Sequence, residues 1–97
     1  MIGCLRGRDI AALLSAMRAD DFDLVVCVTA PSPRGVPAAE LAQHAKSLGC
    51  DEVVVADNVA HGCDIALRNA TSDDAVLVTG SLYVIGEART HLRKVLP

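Results

Sequence analysis

The chain has 97 residues and a formal net charge of −3, which predicts one small domain with a single core. The negative charge, with no basic run and no interleaved aromatic residues, excludes a typical nucleic-acid-binding surface. No apolar stretch approaches the roughly 20 residues that span a bilayer, and no secretory signal is visible, so we expect a soluble, cytoplasmic protein.

The composition indicates an aliphatic core. Hydrophobic residues make up 52% of the chain, but only Phe22 and Tyr83 are aromatic. Two interpretations stay open at this point. Either the excess apolar surface packs inside a dense α/β core, or part of it is kept for another domain or subunit.

Four short valine-rich runs predict the strands of a sheet. They cover residues 2–5, 24–29, 52–56 and 75–79. Each run is short and continuously apolar, as expected for strands buried on both faces of a parallel sheet.

The first two helices are predicted between these runs. In the first, apolar residues recur at helical spacing: Ile10, Leu13, Leu14 and Met17. Asp9 precedes them as an N-cap. The second helix opens at Pro37, a residue suited to a first helical turn, and stops at Gly49.

Two further helices follow the third and fourth strands. Asn58 is the predicted N-cap of the third, whose apolar side carries Val59, Cys63, Ala66 and Leu67. The fourth is predicted to place one set of residues on a single side: Leu82, Ile85, Arg89, Leu92 and Leu96. Arg93 and Lys94 near its end favour the helix dipole.

The alternation of strand and helix predicts an α/β domain of Rossmann-like, three-layer α/β/α type, with a mainly parallel sheet of about four strands. Right-handed crossovers favour the strand order 3-2-1-4. In that order the first strand lies inside the sheet, yet it begins directly after Met1. We therefore expect that an upstream part of the domain is missing.

The cysteines are interpreted as structural. Cys4, Cys27, Cys50 and Cys63 form no C-x-x-C pair, and the three histidines are scattered singly. Buried thiols act as small hydrophobes. We therefore expect neither a metal site nor a disulfide framework.

Ligands of open parallel sheets bind outside the carboxyl ends of the strands, where four loops are predicted to meet. The loop "APSPRGVP" after the second strand holds Arg34 behind two prolines. The planar guanidinium of Arg34 matches a carboxylate or a phosphate. The alternative is an arginine in a solvated turn.

In the loop "TGSLY" after the fourth strand, the backbone N–H groups of Gly80, Ser81 and Leu82 are predicted to lie at the start of a helix. Free N–H groups at a helix N-terminus suit an anion. The alternative is an ordinary N-cap. Arg6 and Arg8 in the first loop add positive charge to the same rim, or else they belong to a solvated loop.

Known nucleotide and catalytic motifs are absent. A Walker A loop needs G-x-x-x-x-G-K-[ST], whereas "GSLYVIGE" has its second glycine one position late and Glu87 in place of lysine. "GCLRGRD" is not a G-x-G-x-x-G fingerprint. No catalytic residue is assigned.

Three stretches carry a family resemblance: "IGCLRGRDIAALLSAM", "DLVVCVTAPSPRGVPAAELA" and "DDAVLVTGSLYVIGEAR". Together they resemble the C-terminal domain of folylpolyglutamate synthase and dihydrofolate synthase, a family related to the Mur ligases. The resemblance spans residues 2 to about 92. It implies that residues 1–97 form one glutamate-ligase domain, truncated at its N-terminus.

The resemblance also implies a function. Members of the family join L-glutamate to a folate or to dihydropteroate through an acyl phosphate made from ATP. Their C-terminal domain closes over the ATP-binding central domain and helps to bind the amino acid. Ser32-Pro33-Arg34 is in the position of the D-N-P-R element of related Mur ligases, which implies that Ser32 and Arg34 bind glutamate.

A second set of residues is implied by a looser match. Thr79, Gly80, Ser81 and Tyr83 are in the position of the relatives' G-K-G-H-E segment, although the lysine and histidine are absent here. These four are therefore expected on the glutamate side as well. Arg6 and Arg8 are expected as additional residues at the rim of the same site.

ATP and Mg²⁺ are expected to be bound mainly by domains that this chain does not contain. The family's P-loop belongs to the central domain, and its D-G-A-H-N-P segment would lie upstream of Met1. The central ATPase domain of the same enzyme is thus the expected partner. The isolated chain is predicted to be inactive as a ligase.

Two alternatives remain. The chain could be a stand-alone Rossmann-like binding or interaction module without catalysis. A Mur ligase of cell-wall synthesis is the weaker alternative, because "TGSLY" replaces G-K-G-H-E.

Overall fold

Four strands alternate with four helices, in the predicted order. The strands are β1 (Ile2–Gly3), β2 (Val25–Cys27), β3 (Val53–Val55) and β4 (Thr79–Gly80). The helices are α1 (Ile10–Ala16), α2 (Ala38–Leu48), α3 (Val59–Asn69) and α4 (Leu82–Val95), and a short 3₁₀ turn spans Ala19–Asp21. The computed structural model describes every residue from Met1 to Pro97.

The sheet is parallel and has the predicted order β3-β2-β1-β4. Within it, Ile2 lies opposite Cys27 on one side and opposite Thr79 on the other. All four strands therefore end at the same edge of the sheet, from which the loops to the helices leave. We call this the carboxyl edge and its opposite the amino edge.

The predicted helix ends are confirmed. The Asp9 side chain accepts a hydrogen bond from the Ala12 N–H at 3.0 Å, and Asn58 accepts one from the His61 N–H at 2.8 Å. Each such cap stabilises its helix by about 1 kcal/mol. Gly49 ends α2 in the left-handed region, at φ 101°, where a side chain would be strained.

Each face of the sheet has its own apolar cluster, which gives the three predicted layers. Twelve buried residues pack between the sheet and α1 and α2, around Leu14 and Leu41. Nine pack on the face of α3 and α4, around Val28 and Val84. All are aliphatic or small side chains, as the composition indicated.

The prediction for the fourth strand is wrong in position. Its run was predicted over residues 75–79, but the strand occupies Thr79–Gly80. A strand forms only where a neighbour offers backbone partners, and β1 pairs with this segment from Met1 onward, through Met1 N to Leu77 O and Thr79 N to Met1 O. Residues 75–78 precede β4 outside any regular element, and the Leu77 carbonyl accepts from the Met1 ammonium.

The predicted apolar side of α4 is wrong for most of its residues, although Leu92 packs against the core. Val84 and Ala88 are its buried residues, whereas Leu82 is 85% exposed and Ile85 is 39% exposed. The helix is rotated so that its smaller side chains face the sheet. The absence of a side chain at Gly3 lets α4 lie close to β1, since a Cβ at Gly3 would lie 2.6 Å from Val84 Cγ2.

The cysteines lie where small hydrophobes are expected. Cys4, Cys27 and Cys63 are buried, and Cys50 is half-buried. Burial raises the pKa of the Cys27 thiol to about 11 and raises those of Cys4 and Cys63.

None of the helices combines the length and the apolar character that crossing a membrane requires.

Candidate functional site

Two loops at the carboxyl edge are joined by backbone hydrogen bonds. The loop after β1 and the loop after β2 form an antiparallel bridge between Leu5 and Gly35. The Arg6 N–H donates to the Arg34 carbonyl at 2.8 Å, and the Val36 N–H donates to the Cys4 carbonyl at 2.9 Å. The two loops therefore act as one rigid rim.

The side chains of Arg6 and Arg34 extend this connection. Arg6 Nη1 lies 2.8 Å from Glu40 Oε2, an exposed ion pair worth no more than about 1 kcal/mol. Arg34 Nη2 donates to the Arg6 carbonyl at 3.1 Å. Arg6 is thus partly neutralised, while Arg34 is held in place without losing its charge.

Two arginines of the rim keep an uncompensated positive charge. Neither Arg8 nor Arg34 makes an ion pair with a carboxylate. Gly7, at φ 96°, leaves room beside Arg34, since a Cβ there would lie 3.5 Å from Arg34 Nη2. The rim can therefore offer guanidinium N–H donors to an incoming anion.

The N-terminus of α4 is held against β1 at the same edge. The Ser81 N–H donates to the Gly3 carbonyl at 2.8 Å, and the Ser81 hydroxyl accepts from the Tyr83 N–H at 3.0 Å. Gly80 has φ 107°, and a Cβ at this position would overlap the Gly3 carbonyl oxygen. Only glycine allows this approach, which aims the helix N-terminus at the arginine rim.

The rim and the α4 N-terminus enclose a cavity of about 430 Å³, which we call the rim pocket. It brings together six of the eight predicted site residues: Arg6, Arg8, Arg34, Gly80, Ser81 and Tyr83. Cys4, Leu5, Gly7, Leu13 and Leu82 complete its lining. The lining contains three arginines and no carboxylate, so it suits an anion with a short apolar part.

Two predicted residues do not line the pocket. The Ser32 hydroxyl accepts from the Arg34 N–H at 3.2 Å, which shapes the turn that carries Arg34. Thr79 pairs with β1 through its N–H, 3.1 Å from the Met1 carbonyl. Both residues therefore support neighbours that do line the pocket.

Sequence reasoning missed two residues that order the rim. Thr29 Oγ1 accepts from the Ala38 N–H at 2.9 Å and so caps α2, because Pro37 at the N-cap has no hydroxyl or amide to do so. Glu40 pairs with Arg6. No local sequence pattern indicates either contact, since the two pairs of partners lie nine and 34 residues apart in the sequence.

The residues of the rim pocket do not fit a Mg²⁺ ion. Nowhere in the chain do three His, Cys, Asp or Glu side chains converge in a way that could hold a metal. Mg²⁺ prefers carboxylate oxygens, and the pocket offers none. Its donors are instead the N–H groups that carboxylate or phosphate oxygens accept from.

Comparison with known proteins gives a family match and two curated relatives. The family described as "Mur ligase, glutamate ligase domain" matches residues 1–82. The "Dihydrofolate synthase/folylpolyglutamate synthase" of Escherichia coli (strain K12) is 34% identical over 87 residues, which cover 88% of this chain and 19% of that protein.

The second relative is the "Probable bifunctional folylpolyglutamate synthase/dihydropteroate synthase" of Halobacterium salinarum. It is 33% identical over 91 residues, 94% of this chain and 11% of that protein. No solved structure matches significantly.

The chain thus spans about a fifth of one relative's length and about a tenth of the other's. Because the family match covers most of the chain, and because both relatives are at least 33% identical over most of this chain, the chain belongs to the family of the Mur ligase glutamate ligase domain.

Proposed function

We propose that this chain is the glutamate-side domain of an ATP-dependent ligase that adds L-glutamate to folates or to dihydropteroate. In this proposal the rim pocket holds the incoming glutamate while other domains of the enzyme make the acyl phosphate. The observation that carries the proposal is the convergence of Arg8 and Arg34 with the N-terminus of α4 around one cavity. The names of the two relatives support the substrate class.

Arg34 is the residue proposed to bind a glutamate carboxylate. Its Nη2 contact with the Arg6 carbonyl holds the guanidinium at the pocket wall, and the rest of the planar group stays free to donate two parallel hydrogen bonds. Ser32 keeps the preceding turn in shape. Arg8 provides a second cation for the other carboxylate of the same ligand.

The α4 side of the pocket is proposed to orient the ligand. Tyr83 is 56% exposed and lines the cavity, so its hydroxyl can reach a bound amino acid. Gly80 and Thr79 set the path of the backbone into α4 and keep its positive dipole end at the pocket. Ser81 already caps this helix, so its contribution to glutamate binding is through position.

ATP and Mg²⁺ are assigned in this proposal to the other domains of the parent enzyme. When bound there, they activate the folate carboxyl group as an acyl phosphate. The present chain supplies neither a phosphate loop nor a carboxylate cluster. We therefore expect no ligase activity from it alone, and its working location is the cytoplasm with the rest of the enzyme.

The first test is direct binding of L-glutamate to the chain, followed by NMR. We expect the amide signals of residues 34 and 80–83 to shift. Arg34→Ala should weaken binding about tenfold, the loss of one charge-assisted pair. Arg34→Lys keeps the positive charge but loses the planar guanidinium. Its affinity for L-glutamate should lie between those of the unchanged chain and of Arg34→Ala. Arg68→Ala, on α3 and away from the cavity, is the matched control and should change nothing.

The second test is ADP release with ATP, Mg²⁺, L-glutamate and either dihydropteroate or tetrahydrofolate. We expect no turnover from the chain alone and turnover after the separately expressed remainder of the parent enzyme is added. Turnover by the chain alone would contradict the assignment of ATP to other domains. No turnover with a folded remainder, together with glutamate and phosphate binding equally well, would favour a stand-alone anion-binding module.

A further inference from the structure

Three arginines line the rim pocket, but one of them already has a carboxylate partner. Arg6, Arg8 and Arg34 all contribute to the lining. Of these, Arg6 alone forms an ion pair, in which its Nη1 lies 2.8 Å from Glu40 Oε2. Glu40 is not part of the lining itself. It therefore lowers the positive charge of the pocket without taking up any of its space.

The position of Glu40 is set by the helix that carries it. Glu40 lies in the first turn of α2, and three residues beside it, Ala38, Leu41 and Ala42, are buried. The backbone of this turn is therefore fixed against the sheet. The N-terminal end of a helix favours a negative side chain. The carboxylate of Glu40 is thus placed beside Arg6 by α2 and does not depend on Arg6 to hold it there.

The backbone of Arg6 is fixed, whereas its side chain can change partners. The Arg6 N–H donates to the Arg34 carbonyl at 2.8 Å, and the Arg6 carbonyl accepts from Arg34 Nη2 at 3.1 Å. The Arg6 side chain is 55% exposed and pairs with Glu40. An exposed ion pair contributes little stability, so another anion can replace it. Arg6 is therefore open to a ligand only after its pair with Glu40 separates.

The size of the rim pocket does not restrict its ligand to a single amino acid. Its volume of about 430 Å³ lies within the roughly 300–1,000 Å³ of pockets that hold drug-sized molecules. A longer ligand is therefore not excluded by space. Since the lining contains no carboxylate, the number of free guanidinium groups is the feature that can distinguish one polyanion from another.

We propose that Glu40 is a specificity-determining residue, which favours ligands with two carboxylates over glutamyl peptides with three. Arg8 and Arg34 match the two carboxylates of L-glutamate. A third carboxylate must displace Glu40 from Arg6 and then lies near the negative charge of Glu40. This preference rests on the proposed function, because it concerns the ligand of the same pocket. It keeps glutamyl chains, which the proposed reaction produces, out of the site for the incoming amino acid.

The test compares two ligands in NMR titrations of the whole chain at low ionic strength, where exposed charges are least screened. The ligands are L-glutamate and γ-L-glutamyl-L-glutamate, which has three carboxylates. We expect Glu40→Gln to raise the affinity for the dipeptide relative to glutamate by at least about threefold, within the range of an exposed ion pair. Glutamine keeps the size of the side chain. A merely structural role of Glu40 would instead weaken both ligands alike.

Two further variants show whether the effect passes through Arg6. In a chain that carries Arg6→Gln, adding Glu40→Gln should leave the ratio of the two affinities unchanged, because no guanidinium is released. Glu87→Gln is the matched control. It removes an exposed carboxylate of α4 that forms no ion pair and does not line the pocket, so the ratio should stay as in the unchanged chain. Circular dichroism checks the folding of each variant.

The outcomes separate this preference from the proposed function. If the unchanged chain binds glutamate but Glu40→Gln leaves the ratio unaltered, the role of Glu40 is overturned and the proposed function stands. A rise in the ratio that persists in the Arg6→Gln chain also overturns it, since Glu40 would then act directly on the ligand. If the unchanged chain binds neither ligand, the proposed function fails and the role of Glu40 fails with it.

Discussion

The two edges of the sheet are built by opposite means. At the carboxyl edge the loops are joined by hydrogen bonds between backbones, and the pocket they enclose carries uncompensated arginines. At the amino edge Val76 and Leu77 are partly exposed, and the backbone N–H groups of residues 75 to 78 donate no hydrogen bond to the backbone. The carboxyl edge is thus held rigid by contacts between loops, whereas the segment before β4 at the amino edge has few backbone contacts.

The two edges should differ in how well they tolerate amino-acid substitutions. Positions at the carboxyl edge are constrained by backbone contacts that a side chain would disturb, as at Gly3, Gly35 and Gly80. Residues 75 to 78 make few such contacts. Substitutions should therefore cost more stability at the carboxyl edge than at the amino edge.

The largest effect is expected from Gly80→Ala. The new Cβ would meet the Gly3 carbonyl in a backbone region that L-residues avoid, so β1 and β4 must separate. We expect a loss of about 3 kcal/mol or more in the free energy of unfolding, measured in urea. Gly86→Ala is the control inside α4, where a Cβ meets nothing within 4 Å. It should stabilise by about 0.5–1 kcal/mol. Equal effects at both glycines would contradict the close approach.

The dependence of stability on pH tests the burial of Cys27 in the middle of the sheet. Cys27 lies in β2, and burial raises the pKa of its thiol from an ordinary 9.0 to about 11. Above pH 9 the unfolded chain loses this proton while the folded chain keeps it. Stability is therefore complete below pH 9 and falls as the pH rises towards 11, by about 2–3 kcal/mol for this one group.

The measurement is the urea midpoint at pH 8, 9, 10 and 11. Cys27→Ala, which cannot titrate, should show a shallower decline above pH 9 from its own lower starting value. Identical slopes would argue that the thiol is not desolvated. In the native protein, Cys50, which is only half-buried, should react with a thiol reagent before Cys27 does.

A moderate effect is expected from Thr29→Val. Valine keeps the shape of the side chain but cannot accept from the Ala38 N–H, so the N-terminus of α2 loses its cap. We expect a cost of about 1 kcal/mol in thermal or urea unfolding. The Glu40–Arg6 pair lies on the same helix end, so glutamate binding at the rim should weaken as well. Unchanged stability and binding would argue against a role for Thr29 in ordering the rim.

The smallest effect is expected from Leu77→Ser. This side chain is 47% exposed, so the free chain should lose no more than about 0.5–1 kcal/mol of stability. Urea unfolding of the variant measures this loss. Leu14→Ala is the matched contrast, because Leu14 is only 1% exposed and its loss leaves a cavity worth about 2–5 kcal/mol.

Much of the fold was predictable because it depends on local patterns. Asp9 and Asn58 were identified as caps, and Gly49 as a helix stop, from their types and positions alone. The valine runs predicted four strands, and the alternation with helices predicted a parallel sheet. These features depend on backbone preference and on hydrophobic periodicity, both of which act within a few residues.

The predictions that were wrong concern features that depend on residues distant in the sequence. The fourth run was apolar enough to be a strand over 75–79, but the pairing of β1 confined the strand to Thr79–Gly80. The side of α4 that packs was mispredicted because small residues, Val84 and Ala88, fit the close approach at Gly3. Neither outcome can be read from the local sequence, since each depends on a partner about 80 residues away.

The candidate site divides in the same way. The amino-acid sequence specifies which residue types are available at each strand end, and this was enough to name Arg34 and the Gly80–Ser81 turn as candidates. The folded arrangement is needed to see that Glu40 partly neutralises Arg6 while Arg8 and Arg34 have no carboxylate partner. It is also needed to see that Ser32 and Thr79 support the pocket without lining it. The physical reason is that charge compensation and close packing are set by distances between segments that meet only after folding.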